Sequence, residues 1–195
     1  CKAALFAVQS LFEEIGYTRP VMVSGTITDA SGRLLSGQTI EAFWYSIFHV
    51  DLLAVGLNCA LGAKEMRPYL ASLSKIADTN ILVYPNAGLP NEFGGYDESP
   101  ERMAKQLSEF TNSKLVNIIG GCCGTTPEHI TAFSNNVDGK IPRTIPSVDS
   151  FTKLSGLEPL VIRPDTNFIN IGERTNVTGS LRFKRLIKKD RFDEA

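Results

Sequence analysis

The 195-residue sequence predicts an α/β fold built on a parallel sheet. Short apolar runs alternate with segments of helical periodicity at a regular interval along most of the chain. The apolar runs lack the polar alternation of a sheet that has one solvated face, so both faces of each strand are expected to be covered. Together these observations are typical of consecutive βα units.

The elements can be predicted in order. An amphipathic helix opens the chain and stops at Gly16. Four strand–helix pairs follow, with strands at 20–27, 51–57, 80–84 and 114–119 and helices at 38–48, 64–77, 99–110 and 127–133. Ser99-Pro100 and Thr126-Pro127 are typical helix starts, because the hydroxyl caps the first turn and proline suits its first position.

Four βα units are about half of an eight-unit barrel. We therefore expect the C-terminal half of a (βα)8 TIM-type barrel, with the other half upstream. A doubly wound open sheet is the alternative, because the number of preceding strands is unknown. Since the sequence begins at Cys1 within a helix rather than at a methionine, it is expected to be an internal fragment of a longer polypeptide.

The βα rhythm predicts a division of the chain into three parts. Residues 1–137 form the half barrel, and residues 138–166, rich in proline, serine and polar residues, are expected to be an interdomain linker. A new apolar run at 167–171 predicts a strand, so residues 167–195 are expected to be the first strand and helix of a second barrel.

Charge and hydropathy exclude several classes of partner. The formal net charge of -1 argues against binding to nucleic acid or to an anionic membrane surface, both of which need a basic excess. No apolar run approaches the roughly 20 residues that span a bilayer, and no secretion signal is recognisable. A cytoplasmic location is therefore expected. The basic run at 182–191 is interpreted as the solvated face of a helix.

Three of the four cysteines follow predicted strands. Cys59 lies in GLNCALG, and Cys122 and Cys123 lie in GGCCGTTPEH. Because the carboxyl ends of parallel strands meet at one edge, these cysteines are expected to converge. Three thiolates leave the fourth position of a tetrahedral zinc ion open, which is the arrangement of a catalytic site. The alternative is that they are buried small apolar residues, which we expect only for Cys1.

The adjacent cysteines raise a geometric question, because neighbouring side chains of a strand point to opposite faces. The chain is therefore expected to leave the strand at this point, helped by the flanking residues Gly120, Gly121 and Gly124. The helix predicted at Pro127 would direct its partially positive N-terminus towards the site.

Four stretches resemble the homocysteine-binding barrel of the cobalamin-dependent methionine synthases: SGTITDASGRLLSGQT, GLNCALG, PNAGLPN and GGCCGTTPEHI. The resemblance implies that Cys59, Cys122 and Cys123 are catalytic zinc ligands and that homocysteine binds as a thiolate at the open position. The methyl group would come from methylcobalamin, held by a cobalamin-binding domain of the same polypeptide, and ultimately from 5-methyltetrahydrofolate. The product would be methionine.

Further contacts can be predicted with this family in view. Asn58 and Asn86 lie on the same edge as the cysteines and are candidates for homocysteine binding, with turn formation as the alternative. The stretch NFINIGERTNVTGS resembles the opening of the family's pterin-binding domain, which makes Glu173, Arg174 and Asn176 candidate pterin contacts. Asp29 is interpreted as a turn residue, and His129 as an exposed helical residue, with a supporting role beside the cysteine pair as the alternative.

Two alternative functions share these cysteines. A homocysteine methyltransferase that uses betaine or S-methylmethionine would have the same zinc ligands, but it would not continue into GERTNVTGS. A structural zinc site or a redox thiol site would need no catalysis at all.

Overall fold

The computed structural model describes residues 1–28, 31–59, 62–172 and 177–195. The chain divides into two compact units, Cys1–Ile162 and Arg163–Ala195.

Four βα pairs preceded by a helix make up most of the first unit. Its helices are α1 (Lys2–Ile15), α2 (Ile40–Ile47), α3 (Ala63–Ile76), α4 (Pro100–Asn112) and α5 (Pro127–Val137). Its first four strands are β1 (Met22–Thr26), β2 (Ala54–Asn58), β3 (Asn80–Tyr84) and β4 (Ile118–Ile119). The predicted sequence of elements is confirmed, and Gly16 ends α1 in the left-handed conformation.

The four strands form one parallel sheet in the order β1-β2-β3-β4. Its register aligns Thr26 with Asn58 and Asn58 with Tyr84, so the carboxyl ends of the first three strands lie side by side. We call this border, with the loops that leave it, the carboxyl edge. The sheet is the α/β arrangement that the sequence predicts.

The core lies where the two central strands meet the helices. Residues 54–57 and 81–83 are buried throughout, as expected for parallel strands with both faces covered. Leu5 is the only buried residue of α1 among those described, and Cys1, expected to be buried, is exposed. The reason is that most of α1 lies outside the packed core.

β4 is shorter than the predicted strand at 114–119. Asn117 explains the difference, because its side-chain oxygen accepts from the Ile81 amide at 2.9 Å and takes a place that a strand carbonyl would fill. Regular pairing with β3 then begins only at Ile118.

The stretch predicted to be a linker contains a hairpin of β5 (Thr152–Ser155) and β6 (Pro159–Ile162). The hairpin does not extend the parallel sheet but packs against α2, where the Ser155 hydroxyl donates to the Ala42 carbonyl at 2.5 Å. Residues up to Ile162 thus belong to the first compact unit. The division of the chain into a half barrel, a linker and a second domain, with boundaries after residues 137 and 166, stays a prediction.

Arg143 fastens the chain that leads to this hairpin. Its side chain is 4% exposed, and its guanidinium donates to the carbonyls of Ser74, Ala77 and Thr79 at 2.5–3.0 Å. These carbonyls lie in the last turn of α3 and just beyond it, where backbone acceptors lack helical partners. One side chain therefore joins the segment after α5 to the end of α3.

The second unit contains the helix α6 (Leu181–Ile187), which the Ser180 hydroxyl caps, and a short 3-10 helix at Phe192–Glu194. The strand predicted at 167–171 is not observed, although these residues are described. A strand needs a hydrogen-bonded neighbour, and the residues described after it form helix and turn. A second barrel therefore stays a prediction.

None of the helices in the described part of the chain combines the length and the apolar character that crossing a bilayer requires.

Candidate metal centre

Cys59, Cys122 and Cys123 meet at the carboxyl edge, and we call them the cysteine centre. Cys59 follows the last residue of β2, and the Cys122-Cys123 pair comes after β4. In the sheet, β3 lies between these two strands. Among the described residues they form the one group of three potential metal ligands whose ligating atoms all lie within 4.8 Å of one another.

Cys59 adopts a left-handed backbone conformation with φ of 55°. This conformation costs a residue with a Cβ about 1–2 kcal/mol. The amide of Cys59 donates to the Tyr84 carbonyl at 2.9 Å, so the hydrogen bonding to β3 continues one residue beyond the paired strand. Strain held in this way by its surroundings is typical of functional positions.

The cysteine pair lies on a turn rather than on a strand, as predicted. The Thr125 amide donates to the Cys122 carbonyl at 3.1 Å, which closes a four-residue turn. Gly124 is its third residue and has φ of +78°. Gly121 meets a different requirement, because a Cβ there would lie 2.1 Å from the Thr125 hydroxyl. The turn allows both neighbouring sulfurs to approach Cys59.

The sulfur positions fit a zinc ion. The Sγ atoms of Cys59 and Cys123 are 3.5 Å apart, and those of Cys122 and Cys123 are 3.9 Å apart. Sulfurs that share a tetrahedral zinc ion with bonds of about 2.3 Å lie about 3.8 Å from one another. The donor set is also that of a thiophilic metal rather than of magnesium or calcium.

The electrostatics of the three thiols favour a cation. Burial raises the pKa of Cys122 to about 11, with further contributions from hydrogen bonds to Cys59 and Cys123 and from their charges. Three thiolates at this spacing would repel one another, so a positive partner favours their ionised form. A bound metal ion supplies that charge.

Asn86 supports the cysteine pair from the loop that follows β3. It is 2% exposed, and its side-chain oxygen accepts from the Cys123 amide at 3.2 Å. The backbone adds two bonds, from the Cys122 amide to the Pro85 carbonyl and from the Ala87 amide to the Cys123 carbonyl, both 2.9 Å long. Asn86 therefore holds the turn at 122–125, which we call the ligand turn. Contact of Asn86 with homocysteine remains a prediction.

The side chain of Asn58 is fixed by hydrogen bonds from the neighbouring strand β1. Its side-chain oxygen accepts from the Ser24 hydroxyl at 2.5 Å and from the Thr26 hydroxyl at 3.3 Å. This places the Asn58 amide at the carboxyl edge beside Cys59, where the sequence predicts a substrate contact. Such a contact remains a prediction here too.

Sequence reasoning predicted the wrong exposure for His129 and missed Tyr96. His129 is 5% exposed rather than solvated: its Nε2 donates to the Glu98 carbonyl at 2.9 Å, and its Nδ1 accepts from the Thr126 amide at 3.2 Å. Tyr96, in the loop at 85–99, packs against the turn at 122–125, because a Cβ at Gly124 would lie 2.3 Å from the Tyr96 Cβ. Tyr96 carries no motif signal, because its contact joins segments that are distant in sequence, and the same holds for the bond between His129 and Glu98.

Four of the predicted positions cannot be placed. Glu173, Arg174 and Asn176, the candidate pterin contacts, lie outside the described residues, as does the predicted turn residue Asp29.

The fold and the centre define a class: an α/β domain of successive βα units with a three-thiol metal site at the carboxyl edge of its sheet. Within that class the assignment is specific, because the family model for homocysteine S-methyltransferase matches residues 1–137. The chain belongs to the homocysteine S-methyltransferase family, and so to a family of methyltransferases.

Two solved structures of the homocysteine methyltransferase MmuM from Escherichia coli are also similar. The apo form is 23% identical with a TM-score of 0.47, over 68% of this chain and 45% of that one. The oxidized form is 22% identical with a TM-score of 0.42, over 67% of this chain and 40% of that one. The chain thus spans less than half the length of either structure.

Proposed function

We propose that this chain carries the homocysteine-activating zinc centre of a methyltransferase that produces methionine with methylcobalamin as the immediate methyl donor. Membership of the homocysteine S-methyltransferase family supports the acceptor. The observation that carries the proposal is the convergence of three sulfurs from two strand ends at distances that suit one metal ion.

Zinc bound by Cys59, Cys122 and Cys123 would supply one effect, which is to keep the homocysteine thiol ionised at neutral pH. The chain's own residues hold the three sulfurs in place: the strained Cys59 backbone, the turn at 122–125 and the buried Asn86 side chain. The homocysteine sulfur then forms a bond to the methyl carbon. The bond from that carbon to the donor breaks, and its electron pair stays with the donor.

The donor is proposed from the sequence beyond the hairpin. The stretch at 167–180 resembles the start of a pterin-binding domain, which would use 5-methyltetrahydrofolate to methylate cobalamin. On this proposal the four βα units are the C-terminal half of a barrel, and residues 167–195 begin a second one. A cobalamin-binding domain of the same polypeptide would be the partner.

Replacing Cys122 with serine in the intact protein tests the proposal. The variant Cys122→Ser is expected to lose zinc and homocysteine methylation while it stays folded, because a serine hydroxyl is a poor zinc ligand at neutral pH. Methyl transfer from 5-methyltetrahydrofolate to cobalamin is expected to continue. Cys1→Ser is the matched control, because Cys1 is exposed and is not part of the cysteine centre.

Two results would contradict this account. A folded Cys122→Ser protein that lost both transfers would refute the division of labour, and one that lost zinc but kept homocysteine methylation would refute the zinc mechanism. Chelation separates the structural alternative, because removing a structural zinc ion unfolds the domain whereas removing a catalytic one leaves the circular dichroism unchanged.

Methyltransferases that use the alternative methyl donors would have the same cysteine centre, so the identity of the donor needs its own assay. The intact protein is offered homocysteine with methylcobalamin, S-methylmethionine or betaine in turn, and methionine is measured. Transfer from methylcobalamin is expected. Transfer from S-methylmethionine or betaine alone would assign the chain to the other branch of zinc-dependent homocysteine methyltransferases.

A further inference from the structure

The hydrogen bonds of the buried His129 select one form of its imidazole. The Thr126 amide donates to Nδ1 at 3.2 Å, so that nitrogen carries no proton. The Glu98 carbonyl lies 2.9 Å from Nε2 and can only accept, so Nε2 carries the proton. The surrounding backbone therefore holds His129 as the neutral imidazole that is protonated at Nε2.

The contact with Thr126 belongs to the start of α5. The Thr126 hydroxyl caps the backbone amide of His129, and the imidazole accepts from the Thr126 amide in return, which completes a capping box. Glutamate or glutamine usually occupies this third helical position. A carboxylate would complete the cap and do no more, because it only accepts. The imidazole has a second nitrogen, which reaches another segment of the chain.

That second nitrogen closes a hydrogen-bonded cycle around the cysteine pair. The Glu98 amide donates to the Ala87 carbonyl at 3.1 Å, and the Ala87 amide donates to the Cys123 carbonyl at 2.9 Å. Cys123 is followed three residues later by Thr126, where the path returns to His129. The cycle therefore joins the ligand turn, both ends of the loop after β3 and the start of α5.

Asn86 is held by the same cycle. It precedes Ala87, whose amide and carbonyl are both members, and its side-chain oxygen accepts from the Cys123 amide at 3.2 Å. His129 is 5% exposed, so water has little access to replace the imidazole if its bonds are lost. The position of His129 thus affects both a predicted metal ligand and a predicted homocysteine contact.

We propose that His129 is a positioning residue of the cysteine centre, which holds the loop after β3 against the ligand turn and so keeps the Cys123 sulfur at metal-binding distance from Cys59. The inference rests on the proposed function in that the bound metal is taken to be zinc. His129 acts through the backbone of Cys123 and through Asn86. It is not itself one of the three ligands of the centre.

Four variants of the intact protein separate positioning from packing. His129→Phe keeps a planar ring and removes both hydrogen bonds, whereas His129→Gln keeps one acceptor and one donor. Phe133→Leu is the packing control, because the buried Phe133 ring meets the His129 ring edge-on, with centroids 6.3 Å apart, and forms no part of the cycle. His49→Phe controls for the loss of a histidine, because His49 is exposed.

His129→Phe is expected to weaken zinc binding by about tenfold, the lower end of what the loss of an outer contact costs a metal site. Competition with a chelator of known zinc affinity measures this loss. His129→Gln is expected to recover part of the affinity. Phe133→Leu is expected to lower the urea midpoint and leave zinc affinity unchanged, and His49→Phe to change neither.

Two further measurements need no metal. Nitrogen-15 NMR distinguishes protonated from unprotonated ring nitrogens, and at neutral pH His129 is expected to carry a proton on Nε2 alone. Hydrogen exchange at the amides of Ala87 and Glu98 is expected to accelerate by about tenfold in His129→Phe, the scale of one lost buried hydrogen bond. Phe133→Leu is expected to change that exchange far less, because it leaves the cycle closed.

A folded His129→Phe protein with the zinc affinity and amide exchange of the parent would overturn the inference. So would a proton on Nδ1 of the parent protein, or equal losses of zinc affinity in His129→Phe and Phe133→Leu. If His129→Phe fails to fold, His129→Asn replaces it, because the shorter side chain does not span both contacts. A parent protein that takes up no zinc would refute the proposed function, while the ring protonation and the amide exchange would still decide the role of His129.

Discussion

Gly124 is the residue on which the shape of the ligand turn depends. It combines a positive φ with close packing, since an added Cβ would meet the Tyr96 side chain at 2.3 Å and the Ala87 Cβ at 3.1 Å. Position 124 therefore excludes other residues for two independent reasons. The two can be separated by experiment.

Gly124→Ala is expected to lower the free energy of unfolding by about 3 kcal/mol, of which about 1–2 kcal/mol is backbone strain and the rest overpacking. Zinc affinity is expected to fall with it, because the turn that carries Cys122 and Cys123 must shift. Urea denaturation and competition with a chelator measure the two effects.

The matched control is Gly139→Ala. Gly139 has φ of +70°, but a Cβ there would meet nothing within 4 Å, so only the strain applies. A loss of about 1 kcal/mol with zinc affinity unchanged is expected. Equal losses in the two variants would mean that the Tyr96 contact does not constrain the turn.

At the scale of elements, Arg143 joins the chain after α5 to the end of α3. A buried guanidinium that donates to three carbonyls contributes more than an exposed ion pair, because its loss leaves several backbone acceptors without partners. Burial lowers the pKa of Arg143, and the nearby Asp78 charge opposes that effect. The residue stays charged at neutral pH nonetheless.

Arg143→Met is expected to cost about 3 kcal/mol of unfolding free energy, measured by chemical denaturation. Arg102→Met is the control, because Arg102 pairs with Glu98 through a side chain that is 75% exposed and is expected to contribute less than about 1 kcal/mol. Similar losses in both variants would show that water replaces the contacts of Arg143 at little cost.

At the scale of the whole molecule, the hairpin changes what the predicted linker does. Besides the Ser155 bond to α2, the Thr39 amide at the start of α2 donates to the Leu157 carbonyl at 3.0 Å, and Arg33 forms an ion pair with Glu158. The chain after β4 therefore belongs to the first unit as far as Ile162.

Hydrogen–deuterium exchange tests this packing. Peptides that cover 152–162 are expected to exchange slowly, because their amides are paired within the hairpin, while peptides that cover 167–172, which form neither helix nor strand, are expected to exchange fast. Equal fast exchange in both would mean that residues 138–166 behave as a free linker, as the sequence alone suggested.

The sequence by itself determined the α/β class, the order of the first nine elements and the three cysteines of the centre. These follow from local signals, namely apolar periodicity, helix caps at Ser99 and Thr126 and cysteines placed directly after strands. Such signals can be recognised in a single sequence, because each concerns residues that are close along the chain.

Only the tertiary structure decided how the cysteine pair turns, that Asn86 contacts Cys123, that Tyr96 packs against Gly124, that His129 is buried and that the stretch after residue 137 packs as a hairpin. Each of these depends on a partner distant in sequence: Asn86 and Cys123, for example, are 37 residues apart, and Ser155 and Ala42 are 113 apart. The energy of such contacts depends on geometry that the folded sheet creates, and local propensity does not encode that geometry.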